Sequence, residues 1–339
     1  MTKLRFGVLG AAKIATVKVI PAMQRGERTE VVAIASREPA KATTAAKELG
    51  IPTAYGTYEA LLADPDVDAV YIPLPNHMHL EWTRRAAEAG KHVLCEKPIG
   101  LNESEARQLV AIRDRTRVRI QEAFMVRTHP QWITVVDMVR SGSLGELRAI
   151  TGTFSYFNND AANIRNVAEY GGGALMDIGC YFVMTSRMVV GREPVRVMAT
   201  MDIDPAFGTD RLTSMVLDFG GVTFAGTCGT QLAACQRITV LGTTGRVDVE
   251  IPVNAIPNEP AWLTVEGVHA HAAGAKTRIS TVACDQYTVQ GDRFSAAVLD
   301  GGEQPYPLEE SIGNMRTIDA LFTSARKGEW IEMMTEVIR

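Results

Sequence analysis

Three side chains of the types that move protons stand at marked places in this sequence. Lys97 follows a short apolar run and sits in Cys95-Glu96-Lys97-Pro98. Asp177 and Tyr181 follow three glycines in Tyr170-Gly171-Gly172-Gly173-Ala174-Leu175-Met176-Asp177-Ile178-Gly179-Cys180-Tyr181. On a helix, residues four apart share a face, so the carboxylate and the phenol belong together. A free phenol titrates at about 10 and is a poor base at neutrality. A nearby ammonium favours the phenolate and lowers that value. A change of about two pH units is worth roughly 2.7 kcal/mol, which one close cation in a partly dry pocket can supply. Each residue also has an ordinary reading. Glu96-Lys97 is then a surface pair, Tyr181 a tyrosine packed by its ring, and Asp177 a first-turn cap.

The turn Gly10-Ala11-Ala12-Lys13-Ile14-Ala15 lies between an apolar strand and a helical pattern, where a pyrophosphate meets open backbone N–H groups. Ala12 and Ala15 stand where the usual fingerprint has its second and third glycines. An acid at the end of the second strand would bind the ribose 2′-hydroxyl and select NAD. The chain has Ser36-Arg37 there, with Lys41 one turn on. No carboxylate repels a 2′-phosphate, and a guanidinium pairs with one through two N–H groups. NADP is therefore the expected cofactor. NAD is the alternative, with Glu38 on the ribose and Arg37 on a solvated loop. The third strand ends in Ile72-Pro73-Leu74-Pro75-Asn76-His77-Met78-His79. Strand ends of this kind face ligands, which places Pro73 and Leu74 beside the cofactor and Asn76 on ribose or carboxamide. His79 opens the next helix as a polar cap. His77, His79 and Cys95 lack the spacing of a ligand set, so no metal is expected.

The elements that must position these groups alternate through the first third. Strands are expected at 4–10, 31–35, 67–72, 92–96 and 118–123. Helices are expected at 13–23 (with Pro21 as a kink or end), 40–49, 79–89 and 103–115, and Gly50 and Gly90 close two of them. Near-continuous apolar strands alternating with helices mean a doubly wound parallel sheet. After about residue 124 the pattern changes. A helix at 130–140 leads to a strand at 147–157, then to short strands at 211–219, 222–229, 237–241 and 246–251 joined by glycine turns. A helix over 308–326 ends this half. The fold class is α/β: an N-terminal Rossmann domain, 1–123, and a C-terminal α+β domain, 124–339, with a large, mostly antiparallel open sheet. Phe154, Tyr156, Phe157, Asn158 and Asn159 are the candidate pocket lining, since polar and aromatic mixtures suit sugars. The bland alternative is an aromatic strand packed on its neighbour.

Composition agrees. The chain has 339 residues, 46% hydrophobic and 22% charged. Its 35 Lys+Arg against 39 Asp+Glu give a net charge of −4, which argues against a nucleic-acid partner. No apolar run of about 18 residues suggests a membrane span. The first residues enter a strand pattern without the form of a signal peptide. The 5 cysteines contain no C-x-x-C, which fits reduced thiols in the cytoplasm.

Taken together, Gly10–Ala15, Glu96-Lys97-Pro98 and the segment from Gly172 to Tyr181 resemble the glucose–fructose oxidoreductase / inositol dehydrogenase (Gfo/Idh/MocA) family over nearly the whole chain. The inositol dehydrogenase branch has His where this chain has Tyr181. The tyrosine form is similar to the branch of NADP-dependent D-xylose dehydrogenases, dimeric dihydrodiol dehydrogenases and nucleotide-sugar ketoreductases, as is Glu122-Ala123-Phe124-Met125 followed by His129-Pro130-Gln131. Ala12 is the main departure. The resemblance implies hydride transfer between NADP and a sugar or related polyol or carbonyl. Lys97 and Tyr181 would act at the reacting carbon, with Asp177 nearby and Glu96 and Asn76 along the nicotinamide ribose. Arg165 and Tyr287 would reach cofactor or substrate from the second domain. It also implies a homo-oligomer, a dimer or tetramer, formed through the open face of the second sheet. The rival functions are a nucleotide-sugar ketoreductase, a sugar–sugar oxidoreductase with tightly held NADP, and a non-enzymatic NADP sensor.

Overall fold

The computed structural model describes residues 2–267 and 276–333. The expected second domain runs on to 339, so 268–275 and 334–339 lie outside the described residues. The chain forms two compact units: the described residues of 1–125 with 285–312, and those of 126–284 with 313–339.

The first unit holds a six-stranded parallel sheet of β1 (Leu4–Leu9), β2 (Thr29–Ala35), β3 (Thr53–Tyr55), β4 (Ala69–Ile72), β5 (His92–Cys95) and β6 (Ile120–Glu122). The order is β3-β2-β1-β4-β5-β6. The direction of winding reverses between β1 and β4, so a crevice opens beyond their C-terminal ends, next to Gly10 and Pro73. β4 is buried at every residue, as a strand covered on both faces must be.

Three features differ from expectation. The helix after Gly10 opens as a π turn, Ala15–Val19, before the α-helix Ile20–Gln24. Pro21 has no N–H and its ring crowds the carbonyl four residues back, and the wider register ahead of it relieves that crowding. β3 and the helix Tyr58–Leu62 are too short for periodicity to reveal. Thirdly, helix Gln286–Leu299 belongs to the first unit, not to the domain that supplies the residues before it. Phe294 packs on Phe6 with ring centroids 6.0 Å apart, and Arg25 pairs with Asp285 at 2.7 Å.

The second unit is built on a nine-stranded sheet. Its strands are β7 (Leu147–Phe157), β8 (Arg196–Ile203), β9 (Asp210–Asp218), β10 (Thr223–Gly229), β11 (Gln231–Gly242), β12 (Gly245–Val249), β13 (Trp262–Gly267), β14 (Lys276–Ser280) and β15 (Ile331–Glu332). The order is β14-β13-β12-β11-β7-β10-β9-β8-β15. Among the described strands of this sheet, β7–β10 is the one parallel pair. Ile150, Phe154, Phe224, Ile238 and Val240 are buried on one face, whereas Thr151 and Thr153 are exposed on the other. Helix Cys180–Val190 covers the buried face. A Cβ at Gly152 would stand 2.8 Å from Phe182, so glycine there lets the helix seat on the sheet.

Residues 168–190 contain a helical stretch long and apolar enough, by length and composition, to span a membrane. Its most apolar stretch is 83% buried inside the protein, which makes it a core helix. The last long helix, Glu309–Lys327, has acids in its first turn and bases in its last, in accord with its dipole. Residues up to Ile312 belong to the first unit and the remainder to the second.

Candidate active site

In the first unit Gly10 ends β1 with φ +117°, a conformation that favours glycine, and its N–H donates to Ala35 O at 2.8 Å. A Cβ there would lie 3.0 Å from Leu74 Cδ2 and 3.9 Å from Tyr58 Oη. The missing side chain therefore leaves room between the β1 and β4 ends, where the sequence placed Leu74. Ala11, Ala12 and Lys13 form the turn. Ala12 O accepts from Thr16 N–H at 3.0 Å, and Ile14 precedes the π turn. Ser36 is buried at the end of β2, and its Oγ accepts from Glu38 N–H at 3.2 Å. Arg37 is exposed, and its charge acts on Tyr58 and His77. Burial raises the Tyr58 phenol pKa, with Arg37 opposing, and burial lowers that of His77, with Arg37 adding to it. Tyr58 was not foreseen, because its helix was not. Lys41, expected on the cofactor, is ion-paired to Glu38 at 2.6 Å, which also engages the acid considered for the ribose.

The second strand end carries Glu96 and Lys97. Tyr71, fully buried, donates to Glu96 Oε1 at 2.6 Å, and the Lys97 N–H reaches Oε2 at 3.3 Å. Burial first and the Glu96 charge second push the Tyr71 and Tyr287 phenols above their ordinary range. Tyr287 was expected to reach in from the second domain. It stands instead in the first unit, because helix Gln286–Leu299 returns there. Pro73 is buried, and Asn76 opens a 3₁₀ turn, Asn76–Met78. The expectations for His79 are corrected. It is fully buried and makes no side-chain cap. Its ring nitrogens face backbone carbonyls, Nδ1 at 2.7 Å from Pro98 O and Nε2 at 2.7 Å from Leu74 O. Burial pushes its pKa down to about 4, against the pull of those carbonyls. The neutral ring has one N–H, so it donates to one of the two carbonyls and packs against the other, bracing the Leu74 and Pro98 loops. Cys95 is buried and its thiol pushed up, which removes it from thiolate chemistry.

In the second unit Asp177 is the hub. Tyr156 Oη donates to Asp177 Oδ2 at 2.6 Å, and Arg165 Nε lies 2.9 Å from Oδ1. Burial, then Asp177, raises the Tyr156 pKa, while Asp177 chiefly raises that of Arg165. Phe154 packs on Tyr181, ring centroids 6.2 Å apart. Tyr181 is buried on helix Cys180–Val190, and Asp177 lies on the π turn Leu175–Gly179 just before it. The geometry thus unites Phe154, Tyr156, Arg165, Asp177 and Tyr181. Phe157 is 66% exposed, since on a strand it points away from Phe154 and Tyr156. Asn158 Oδ1 accepts from Asp160 N–H at 3.0 Å, so that oxygen braces its own loop.

Asp210 was missed altogether. It is buried on β9, accepts from Leu175 N–H at 2.8 Å and Thr213 Oγ1 at 2.6 Å, and so caps the helical run that carries Asp177 and Tyr181. Burial pushes its pKa up to about 6. Gly173, with φ +111°, is needed beneath it, because a Cβ would collide with Asp210 Oδ1. No sequence pattern links positions 173 and 210.

Residues 4–124 match the model of the oxidoreductase family with an NAD-binding Rossmann fold, and residues 132–248 match that of the GFO/IDH/MocA C-terminal domain. The chain belongs to the GFO/IDH/MocA family of oxidoreductases. Within the family it is similar to an uncharacterized oxidoreductase, ORF334, of Rhizobium meliloti, with 48% identity over 97% of this chain and 99% of that one. It is 40% identical to D-xylose 1-dehydrogenase (NADP(+)) 2 of Haloferax volcanii, over 97% of this chain and 100% of that one. It also resembles the crystal structure of KijD10, a 3-ketoreductase from Actinomadura kijaniata in complex with NADP and TDP-benzene. The TM-score is 0.88 at 32% identity, covering 95% of this chain and 98% of that one. As a GFO/IDH/MocA protein it is an NAD(P)-dependent oxidoreductase.

Proposed function

We propose that this protein is an NADP-dependent dehydrogenase of a sugar or closely related polyol, in which Lys97 and Tyr181 carry the proton transfer. One observation carries the reading: Asp177, clasped by Tyr156 and Arg165, stands four residues before Tyr181 in a chain of this family that has Lys97 just beyond the end of β5.

The first unit fits the cofactor. The Gly10 turn leaves a cradle that a Cβ would fill, no acid stands free at the β2 end, and Arg37 is exposed beside Tyr58 and His77. Gly10 to Ile14 would hold the pyrophosphate, Ser36 and Arg37 the 2′-phosphate, and Glu96, tied to Tyr71, the nicotinamide ribose. NADP, when bound, supplies the hydride acceptor. An alcohol that loses hydride must also lose its hydroxyl proton, and Tyr181 takes it. Lys97 favours the phenolate and, in the reverse direction, stabilises charge growing on a carbonyl oxygen. Similarity to a D-xylose dehydrogenase supports an aldose substrate.

The test is NADP+ reduction across aldoses, inositols and trans-dihydrodiols, with nucleotide-linked sugars assayed in the reductive direction. Turnover with free aldoses supports the reading. Activity confined to nucleotide sugars would replace it with a ketoreductase, the second reading that the likeness to KijD10 favours. NADP that survives purification and cycles between two sugars would point to a sugar–sugar oxidoreductase. We also propose a cytoplasmic homo-oligomer whose copies meet on the exposed face of the nine-stranded sheet. That face has a hollow of about 570 Å³ lined by Thr151, Thr153, Thr227, Arg237 and Thr239. A monomeric mass by light scattering at micromolar concentration would refute that assembly.

A further inference from the structure

The peptide group that follows Lys97 and Pro98 is held at both of its polar ends. We propose that His79 and Glu122 clamp the Pro98–Ile99 peptide and thereby act as positioning residues for Lys97. The proposal rests on the role given to Lys97 above.

Pro98 O lies 2.7 Å from His79 Nδ1, and Ile99 N–H donates to Glu122 Oε1 at 2.9 Å. That carbonyl and that N–H belong to one planar unit. Holding both ends sets the orientation of the plane and so the direction in which the chain leaves Lys97. The two side chains come from different elements, His79 from the first residue of helix His79–Glu88 and Glu122 from the last residue of β6. Glu122 has a second anchor, its Oε2 accepting from Ser311 Oγ at 2.6 Å, and the His79 ring is wedged between Pro98 O and Leu74 O, the latter 2.7 Å from Nε2, with its one N–H given to one of them. Both are 0% exposed. The far end of the turn is tied as well, since Leu101 N–H donates to Glu105 Oε2 at 2.8 Å.

Buried carboxylates are costly unless their oxygens are bonded, and a surface turn needs none to hold its shape. On either side of the turn the sheet bonds Glu96 N–H to Ile72 O at 3.0 Å and Ala123 N–H to Cys95 O at 2.7 Å. Between those two bonds the His79 and Glu122 side chains meet the turn. Misplacing a catalytic group by about 1 Å costs on the order of a hundredfold in rate, which is what such a clamp prevents.

The experiment uses the full chain, NADP+ and D-xylose as probes, and NADPH fluorescence for binding. Glu122→Met removes the acceptor and should lower kcat roughly 10- to 100-fold while KM and NADPH affinity stay within about threefold. Glu122→Gln keeps an oxygen for Ile99 N–H and should restore most of the rate. In a Lys97→Met background, adding Glu122→Met should change kcat by less than about twofold, because nothing is left to position. Ser311→Ala loosens the same carboxylate more gently, with an expected loss of about two- to fivefold, and it carries the same cycle should Glu122→Met fail to fold. Full kcat in the Glu122 and Ser311 variants beside a crippled Lys97→Met overturns the clamp alone. So does an equal loss with and without Lys97. Near-normal kcat in Lys97→Met, or no turnover by the unaltered enzyme, overturns the reading underneath.

Discussion

The two units open their functional helices alike. Each has a glycine in the left-handed region, Gly10 at φ +117° and Gly173 at φ +111°, followed by a π turn, Ala15–Val19 or Leu175–Gly179. They differ in what fills the space before the helix. At Gly10 a Cβ would meet only the tips of Leu74 and Tyr58, and the N-cap residue Ile14 makes no side-chain cap. At Gly173 the space is filled by Asp210, a carboxylate that already accepts from Leu175 N–H. An open helix start attracts an anion, whereas a capped one is only a support. On the proposed reading the first unit takes the pyrophosphate at Gly10, and in the second the Asp210 cap holds the run that carries Asp177 and Tyr181.

On the proposed reading Lys97 and Tyr181 carry the proton transfer, and removing either should give the largest effect. Lys97→Met and Tyr181→Phe should each lower kcat by at least roughly a hundredfold with NADPH affinity nearly intact. Steady-state rates and nucleotide fluorescence check this, and a large loss for only one of them breaks the symmetry. The glycines come next. Gly173→Ala meets a buried carboxylate and should destabilise by about 3 kcal/mol, whereas Gly10→Ala meets a movable leucine tip and should cost about 1–2 kcal/mol. Urea unfolding decides, and a reversed order would refute the capped-versus-open contrast.

Asp210 makes a pH-dependent case. Its folded pKa of about 6 lies above its ordinary 3.8, so folding takes up a proton between those values. Stability from this group is greatest at low pH and is lost as pH rises through about 4 to 6. The difference between the unaltered protein and Asp210→Asn should shift by up to about 3 kcal/mol across that window and stay flat above it. Denaturant titrations at several pH values test it. In the first unit Arg37→Ala should weaken NADPH by roughly tenfold or more and NADH far less. Equal losses would mean that Arg37 serves no 2′-phosphate. The smallest effect belongs to Lys41→Ala. Its exposed pair with Glu38 predicts a change in NADPH affinity below about twofold by the same titration.

What was legible follows the range of the physics. The parallel strands, the exact bounds of β7, and the hairpins at Gly220 and Thr243 come from local periodicity and turn chemistry. Lys97, Asp177 and Tyr181 were nameable because they stand in short runs beside a glycine or a strand end. Tyr58 and β3 escaped because three to five residues carry too little period. Tyr71 looked like one more apolar strand residue, yet its hydroxyl holds Glu96. His79 read as a cap because it begins a helix, but its ring turns back onto two carbonyls.

By itself the sequence determined the longer elements, the change from a parallel to a mostly antiparallel sheet and the chemical types at the strand ends, because these depend on neighbours a few residues apart. Only the tertiary structure decided that residues 285–312 return to the first unit, that Asp210 caps a helix thirty-odd positions before it, and that Glu122 meets Ile99 and Ser311. Such partners are set by where the packed sheets bring distant backbone together. A buried donor or acceptor must then find its mate across the fold, wherever in the chain that mate lies.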